Sequence, residues 1–391
     1  MTDRYRKVPS GRLSRLAGFG QLATGVVGGA LAEGARRLAR GDRPHLSDLL
    51  LTPANAMRTA EQLSRLRGAA MKLGQMISMD AGDVLPPELT SILARLRDAA
   101  HFMPPSQLNK VLAGAWGADW RLRFAQFDPR PMAAASIGQV HRATLKDGRV
   151  VAVKVQYPGV AQSIDADVDN VATLLRMSGL LPGSLDVGPL LTHAKQQLRE
   201  EADYRREAEQ MQRYRDLLAG ETCFVVPAPV PEWSSDRILV MDYVEGAPIE
   251  TMAQAPQDRR DGAMGALLDL VLRELFVFGF MQTDPNFANY RWQPDTQRLV
   301  LLDFGAARDV PPETVASYRR LIEAGLAHDR DRIREIAVET GFLGEAAVAA
   351  HRPAVDRIIA AIDDTMARPG PFDFGDRAFV PVVREETRPM I

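Results

Sequence analysis

Asp284 and Asn289 stand with four residues between them in Gln282-Thr283-Asp284-Pro285-Asn286-Phe287-Ala288-Asn289. A second acid, Asp303, follows in Leu301-Leu302-Asp303-Phe304-Gly305, behind the apolar run Leu299-Val300-Leu301-Leu302. One carboxylate, one amide and a further carboxylate form the set that Mg²⁺-assisted phosphoryl transfer requires. Asp284 would orient or deprotonate the attacking hydroxyl, and Asn289 and Asp303 would hold the Mg²⁺ that neutralises the β- and γ-phosphates. A hairpin between Asn289 and Asp303 would bring the three side chains to one place. A second copy, Asp373-Phe374-Gly375, follows a Pro/Gly stretch and no strand, and reads as a surface loop. Taken alone, the Asp284 block is also what a polar turn with Asn and Pro looks like, so the upstream elements decide.

Those elements come in the order such a site needs. Met132-Ala133-Ala134-Ala135-Ser136-Ile137-Gly138-Gln139-Val140 is a small-residue turn. It leads into Val140 to Leu145, the turn Lys146-Asp147-Gly148, and Val150-Val151-Ala152-Val153-Lys154-Val155, a hairpin with a lysine late in its second strand. Protein kinases place a Gly-rich loop over the phosphates and the lysine of a V-A-I-K strand on them. Here that lysine is Lys154, and aligned on Gly138 and Val140 the first two loop glycines are Ala133 and Ala135. A charged helix, 198–211, carries Glu201, Asp203 and Glu207. Glu207 is the choice of partner for Lys154, which must be fixed by a helix carboxylate. On an unbroken helix Glu201 and Glu207 lie about 240° apart, so they cannot serve one partner unless the helix begins after Glu201. Strands are expected at 224–226 and 237–241. The stretch Met241-Asp242-Tyr243-Val244 is where a kinase hinge presents backbone groups to adenine. A strongly apolar helix, 259–280, leads into the catalytic block, and helices follow at 313–326, 329–340 and 345–366.

Composition sets bounds. With 391 residues, 46% hydrophobic and 25% charged, the chain is an ordinary globular one of one or two domains. A net charge of -2 leaves no nucleic-acid footprint. The single cysteine, Cys223, excludes an internal disulfide framework and suits a reducing compartment. No apolar run is long enough to span a bilayer. Residues 1–40 carry eight Lys/Arg against two acids around an apolar, Gly-rich stretch, 16–32. A helix lying on an anionic membrane surface fits. A packed helix and an Arg-rich transit segment compete with that reading. Residues 55–82 read as a helix with the stripe Leu63, Leu66, Ala70, Leu73, Ile77, and beside it lie Lys72, Gly74 and Gln75. By pattern alone Lys72 is a solvated charge. Further helices are expected at 88–97 and 106–118.

Ala in place of the loop glycines, Lys-x-Gly-Gln at Lys72 to Gln75, Glu-x-Asp at Glu201 and Asp203, and Gln-Thr-Asp-Pro-Asn ahead of Asn289 resemble the UbiB family. These are atypical protein-kinase-like proteins tied to coenzyme Q (ubiquinone) biosynthesis. Arg67-Gly68-Ala69-Ala70 is most similar to the coenzyme Q8-type branch, and the resemblance covers roughly residues 15–365. It implies an α+β, bilobal protein-kinase-like fold with an N-terminal all-helical extension. The divisions are a membrane-surface helix at 1–40, the extension at 41–120, an N-lobe at 121–246 with a helical insertion at 157–194, and a C-lobe at 247–391. The resemblance also implies ATP or ADP with Mg²⁺, an Ala-rich phosphate loop at Ala133, Ala134, Ala135 and Ser136, and an extension that folds over the peptide site of a protein kinase. Glu201 and Asp203 would be the partners of Lys72. The implied activity is slow ATP hydrolysis that handles an isoprenoid quinone precursor or other lipid at an anionic membrane, among ubiquinone-biosynthesis proteins. A kinase acting in trans and a nucleotide-switched lipid-binding module are the alternatives. The implied place is the cytoplasmic side of a bacterial inner membrane, with mitochondria as the alternative.

Overall fold

The computed structural model describes Tyr5 and residues 68–70, 72, 102–177, 187–284, 286–370, 372–373 and 375–387. The expected membrane-surface helix at 1–40, the helix 88–97, Gly74 and Gln75 lie outside the described residues, Tyr5 excepted. Among the described residues no helix is long and apolar enough to cross a membrane. Two compact units form, one of Met1–Met264 with Gln282–Ala307, the other of Gly265–Met281 with Arg308–Ile391. The segment with Asp284, Asn289 and Asp303 thus belongs to the same unit as Lys154.

In the first unit the strands are β1 (Phe124–Phe127), β2 (Ala133–Ala134), β3 (Gly138–Leu145), β4 (Val150–Gln156), β5 (Phe224–Val225), β6 (Ile238–Asp242), β7 (Ala247–Pro248), β9 (Tyr290–Gln293) and β10 (Arg298–Leu301), with β8 (Phe280–Gln282) and β11 (Ala307–Asp309) at its boundaries. Its helices are α1 (Pro105–Trp116), α2 (Val160–Met177), α3 (Val187–Glu201) and α4 (Tyr204–Leu217), followed by α5 (Gln257–Arg273). Five strands make an antiparallel sheet in the order β1-β3-β4-β6, with β2 beside β3. A second sheet runs β5-β10-β9-β7.

Alternation along β4 explains how the lysine is placed. Val151, Val153 and Val155 face a core shared with Leu108, Leu112 and Trp116 of α1 and with Trp120 and Phe124. Successive strand side chains point to opposite faces, so Ala152, Lys154 and Gln156 turn the other way. There Gln156 Nε2 donates to the Ala202 carbonyl at 2.9 Å, which ties the strand to the junction of α3 and α4. The β3–β4 turn ends on Gly148, at φ +89°, the left-handed conformation for which glycine is suited.

Within the second unit, the helices are α6 (Pro312–Leu326), α7 (Arg330–Glu339), α8 (Glu345–Met366) and α9 (Val380–Thr387). Arg334 is buried between Asp331 and Asp356. Asp363 accepts from Arg330 Nε at 2.6 Å and pairs with His328. The expected apolar helix ends earlier than predicted: α5 stops at Arg273 and a π-helical turn, Glu274–Phe278, carries the chain to Gly279. Its Leu267 and Leu270 are buried, while Met264, Leu268, Val271 and Leu272 are exposed. Cys223 is half-buried.

One polar chain crosses the first unit's core. Met103 N donates to Gln139 Oε1 at 2.8 Å. Gln139 Nε2 therefore donates to His141 Nε2 at 2.9 Å, which leaves the proton on Nδ1 to donate to the Asp128 carbonyl at 2.9 Å. Every member is satisfied only with a neutral imidazole, and burial holds the His141 pKa below its ordinary value. The neutral ring contributes stability that is complete above the unfolded value of about 6.5 and is lost as pH falls through the lowered folded value. This ring's contribution to the melting temperature should be level above neutrality and fall on acidification. The His141→Gln variant should lose the part of that fall due to this ring. Superimposable pH profiles for the two proteins would contradict the assignment.

Candidate functional site

Two lysines divide four carboxylates. Lys154, from β4, donates to Glu207 Oε1 at 2.7 Å and Oε2 at 2.9 Å, and stands 3.6 Å from Asp303 Oδ2. Lys72, from the extension, lies 2.8 Å from Glu201 Oε1 and 2.9 Å from Asp284 Oδ2. Both lysines are buried, at 8% and 4% exposure, and Glu207 is fully buried. Ammonium groups in such surroundings persist only when neutralised, and removing one partner of a buried pair costs about 3–5 kcal/mol.

The charges follow from this arrangement. Burial works against the Lys154 ammonium, but Asp303 and Glu207 outweigh it and hold the group well above its usual range. Burial pushes the Glu207 carboxyl up to about 7, against the pull of Lys154. Both directions hold together because the cation has two acids around it, whereas Glu207 has one cation and Asp303 nearby. Asp303 is held below the ordinary carboxylate range: burial raises it, but Lys154, the Gly305 N–H and Lys72 outweigh that. Lys72 is likewise raised, burial being outweighed by Glu201 and Asp284.

A break in the helix separates the two sets. The expected single charged helix is two, α3 ending at Glu201 and α4 beginning at Tyr204. Asp203 caps α4, its Oδ1 accepting from Arg206 N at 3.0 Å. Asp203 is therefore a helix cap, whereas Lys72 takes Glu201 and Asp284 as its partners. The break frees Glu201 from the register of Glu207, so each acid serves a different lysine.

Glu201 also reaches the small-residue loop, where Ser136 Oγ donates to its Oε2 at 2.7 Å. Ala133 and Ala134 pair with Val140 and Gln139, and Ala135 N donates to the Gly138 carbonyl at 2.9 Å. The extension lies directly on this turn. A Cβ placed on Gly68 would stand 3.0 Å from Ile137 Cγ2 and 3.1 Å from the Ser136 carbonyl, so a glycine allows the helix to come this close.

The β9–β10 hairpin does what its spacing suggests. Tyr290 pairs with Leu301, and Leu302 N donates to the Asn289 carbonyl at 3.0 Å, which joins the amide to the residue before Asp303. Asn289 Nδ2 donates to the Asp284 carbonyl at 3.2 Å, leaving its side-chain oxygen as the acceptor. Asp303 Oδ1 accepts from Gly305 N at 3.0 Å. An amide oxygen and a carboxylate are hard donors that fit Mg²⁺. Among the described residues no group of three or more His, Cys, Asp or Glu could hold a metal alone. Mg²⁺ here would share its coordination with phosphate oxygens, as it commonly does.

In the hinge stretch, Met241 pairs with Ala152, and Asp242 N and Tyr243 N already donate to the Ala228 and Val150 carbonyls. Adenine would be met by other backbone groups of this segment, Val244 included. The second Asp-Phe-Gly copy makes the same local turn, Gly375 N donating to Asp373 Oδ1 at 2.8 Å, but Asp373 is exposed.

Sequence reasoning gave no role to three residues here. Gln282 Nε2 donates to the Asp303 carbonyl and its Oε1 accepts from Asp284 N at 3.2 Å, so one amide joins both acidic segments. Arg206 donates to the carbonyls of Gly305, at 2.7 Å, and Ala307. Tyr204 lies under Lys154, with the ammonium 5.2 Å from its ring centroid. Gln282 stands two residues before Asp284, a spacing that could have been noticed. Arg206 and Tyr204 carried no signal within a charged helix.

Comparison with known proteins agrees with this geometry. The chain is 41% identical over 379 residues to the atypical kinase coq-8, mitochondrial, of Caenorhabditis elegans, covering 95% of this chain and 50% of that one. It is 41% identical over 342 residues to the Saccharomyces cerevisiae atypical kinase COQ8, mitochondrial, covering 88% and 68%. It is 43% identical over 375 residues to the rat atypical kinase COQ8B, mitochondrial, covering 95% and 71%. The chain thus spans about half the length of the worm relative. Among solved structures, a Mycobacterium tuberculosis protein in complex with erythromycin matches at 26% identity and a TM-score of 0.49, over 86% of this chain and 90% of that one. Residues 95–337 match the ABC1 atypical kinase-like domain, and the chain belongs to that family of kinase-like fold.

Proposed function

We propose that this chain binds an adenine nucleotide with Mg²⁺ and hydrolyses ATP slowly. We infer further that hydrolysis drives or gates the handling of an isoprenoid quinone precursor at an anionic membrane, in support of ubiquinone biosynthesis. The observation that carries the reading is the division of four acids between Lys154 and Lys72. Lys154, fixed by Glu207, is the cation for the α- and β-phosphates. Asn289 and Asp303 hold Mg²⁺, which neutralises charge on the phosphates. Asp284 orients water. The water oxygen bonds to the γ-phosphorus, the bond from that phosphorus to the β,γ-bridging oxygen breaks, ADP leaves, and Asp284 takes the proton.

Lys72 makes this site a poor kinase. Its ammonium takes Asp284 Oδ2 at 2.9 Å and leaves Oδ1 for a small nucleophile such as water, and its helix lies on the turn at Ser136 and Ile137. Slow hydrolysis with little transfer to side chains follows. The names of the relatives support a role alongside ubiquinone-biosynthesis proteins and a mitochondrial setting. The lipid and the anionic membrane surface rest on the family resemblance and the basic residues 1–40.

Asp303→Asn should weaken Mg²⁺-dependent nucleotide binding by at least about tenfold, the ~1.4 kcal/mol or more of a lost charge-assisted contact. Asp373→Asn should leave it unchanged. Titration calorimetry checks both, and equal losses would mean the wrong acid has been chosen. Lys72→Ala should leave the chain folded and release autophosphorylation from γ-labelled ATP. A lowered melting temperature with no catalytic change would make Lys72 a structural residue only. Phosphate release should rise with anionic liposomes and a phenol resembling a quinone head group. A rate indifferent to both would remove the lipid from the reading and leave the ATPase standing.

A further inference from the structure

We propose that the Tyr204 hydroxyl is a hydrogen-bond donor to a phosphate of the bound nucleotide. The inference rests on the nucleotide reading above and names a ligand outside the residues expected from the motifs.

Tyr204 opens α4, one turn before Glu207, and is fully buried. Among the described residues its hydroxyl oxygen has no hydrogen-bond partner. Burying an unpaired hydroxyl is unfavourable, and such a group in a folded protein calls for an explanation. Phenylalanine would fill the same space and carry the same ring without it.

The surroundings supply the explanation. The ring lies under the Lys154 ammonium, 5.2 Å from centroid to nitrogen. The hydroxyl reaches the small-residue loop: a Cβ built on Gly138 would come 2.8 Å from Tyr204 Oη and 2.6 Å from the Val155 carbonyl oxygen. Gly138 is thus a glycine because this hydroxyl and the neighbouring strand occupy the space a side chain would need. The hydroxyl therefore abuts the end of the loop while its ring lies against the lysine, the two groups assigned to the phosphates. Residues 133–136 of the loop, next to Gly138, are half-exposed, so this face of the hydroxyl's surroundings is the one a phosphate approaches. Burial raises the phenol above its ordinary value, so the proton stays on the oxygen and the group is a donor. An anionic phosphate oxygen is the acceptor for which such a donor is strongest.

The test compares the whole chain with Tyr204→Phe, which keeps the ring. Without nucleotide, the variant should melt about 2–4 °C higher, because the unpaired hydroxyl is gone. Its affinity for Mg–ADP should fall about tenfold or more, the loss of a hydrogen bond to a charged group. Adenosine, which has no phosphate, should bind both proteins equally. p-Aminophenylalanine at position 204 restores a donor and should recover the Mg–ADP affinity. Unchanged Mg–ADP affinity in Tyr204→Phe would overturn the assignment. So would an equal loss for adenosine, which reports a distorted pocket, or a lower melting temperature, which reports a partner within the fold. Wild-type protein that binds no Mg–ADP at all would overturn the nucleotide reading itself, a result distinct from any of these.

Discussion

A buried ammonium group has to be neutralised where it stands, and this fold buries two of them within one constellation of acids. Much of the first unit can be understood as the means of bringing those acids in. Strand β4 alternates, giving its valines to the aromatic core and Lys154 to the other face. Helix α4 sets Glu207 against that lysine. The β9–β10 hairpin returns Asp303 to within 3.6 Å of it. None of these placements is local in sequence, and each leaves an uncompensated charge if it fails. The same electrostatic demand that shapes the site therefore also selects the fold around it.

How much of this was legible depends on range. Lys154 could be read because Val151-Ala152-Val153-Lys154 follows the small-residue turn as a V-A-I-K strand follows a phosphate loop, and helix geometry alone separates Glu207 from Glu201. That separation holds only on an unbroken helix, and Asp203 breaks it by capping α4. The resemblance grouped Asp203 with Glu201 as a partner of Lys72. A carboxylate that starts a helix has its own backbone N–H groups to satisfy, and here that local demand prevailed over a distant ammonium. Lys72 by pattern was a solvated charge, and its burial at 4% exposure is set by residues more than a hundred positions away. Tyr204, Arg206 and Gln282 act through backbone carbonyls and ring faces, which one-dimensional patterns do not encode.

The two Asp-Phe-Gly copies show where a motif stops being informative. Both fold into the same turn, the glycine N–H returned to the aspartate oxygen. That geometry is dictated by the short side chain of Asp and recurs wherever the sequence allows it. What differs is the lysine beside Asp303 and the hairpin behind it. The local sequence specifies the turn, and the distant cation holds the Asp303 carboxylate in its charged form.

The extension couples parts that the motifs treat as separate. Ser136 in the loop donates to Glu201, Glu201 pairs with Lys72, and Lys72 pairs with Asp284. These four groups form one uninterrupted network from the loop to Asp284. In a partly buried network each member lowers the cost of the next, and removal of one exposes its neighbours to an unpaired charge. The position of the loop and the freedom of Asp284 are then not independent. A ligand that draws Ser136 away from Glu201 alters the balance at Lys72, and through it the freedom of Asp284. The serine–acid–lysine–acid arrangement thus makes Lys72 the link by which the loop is felt at Asp284.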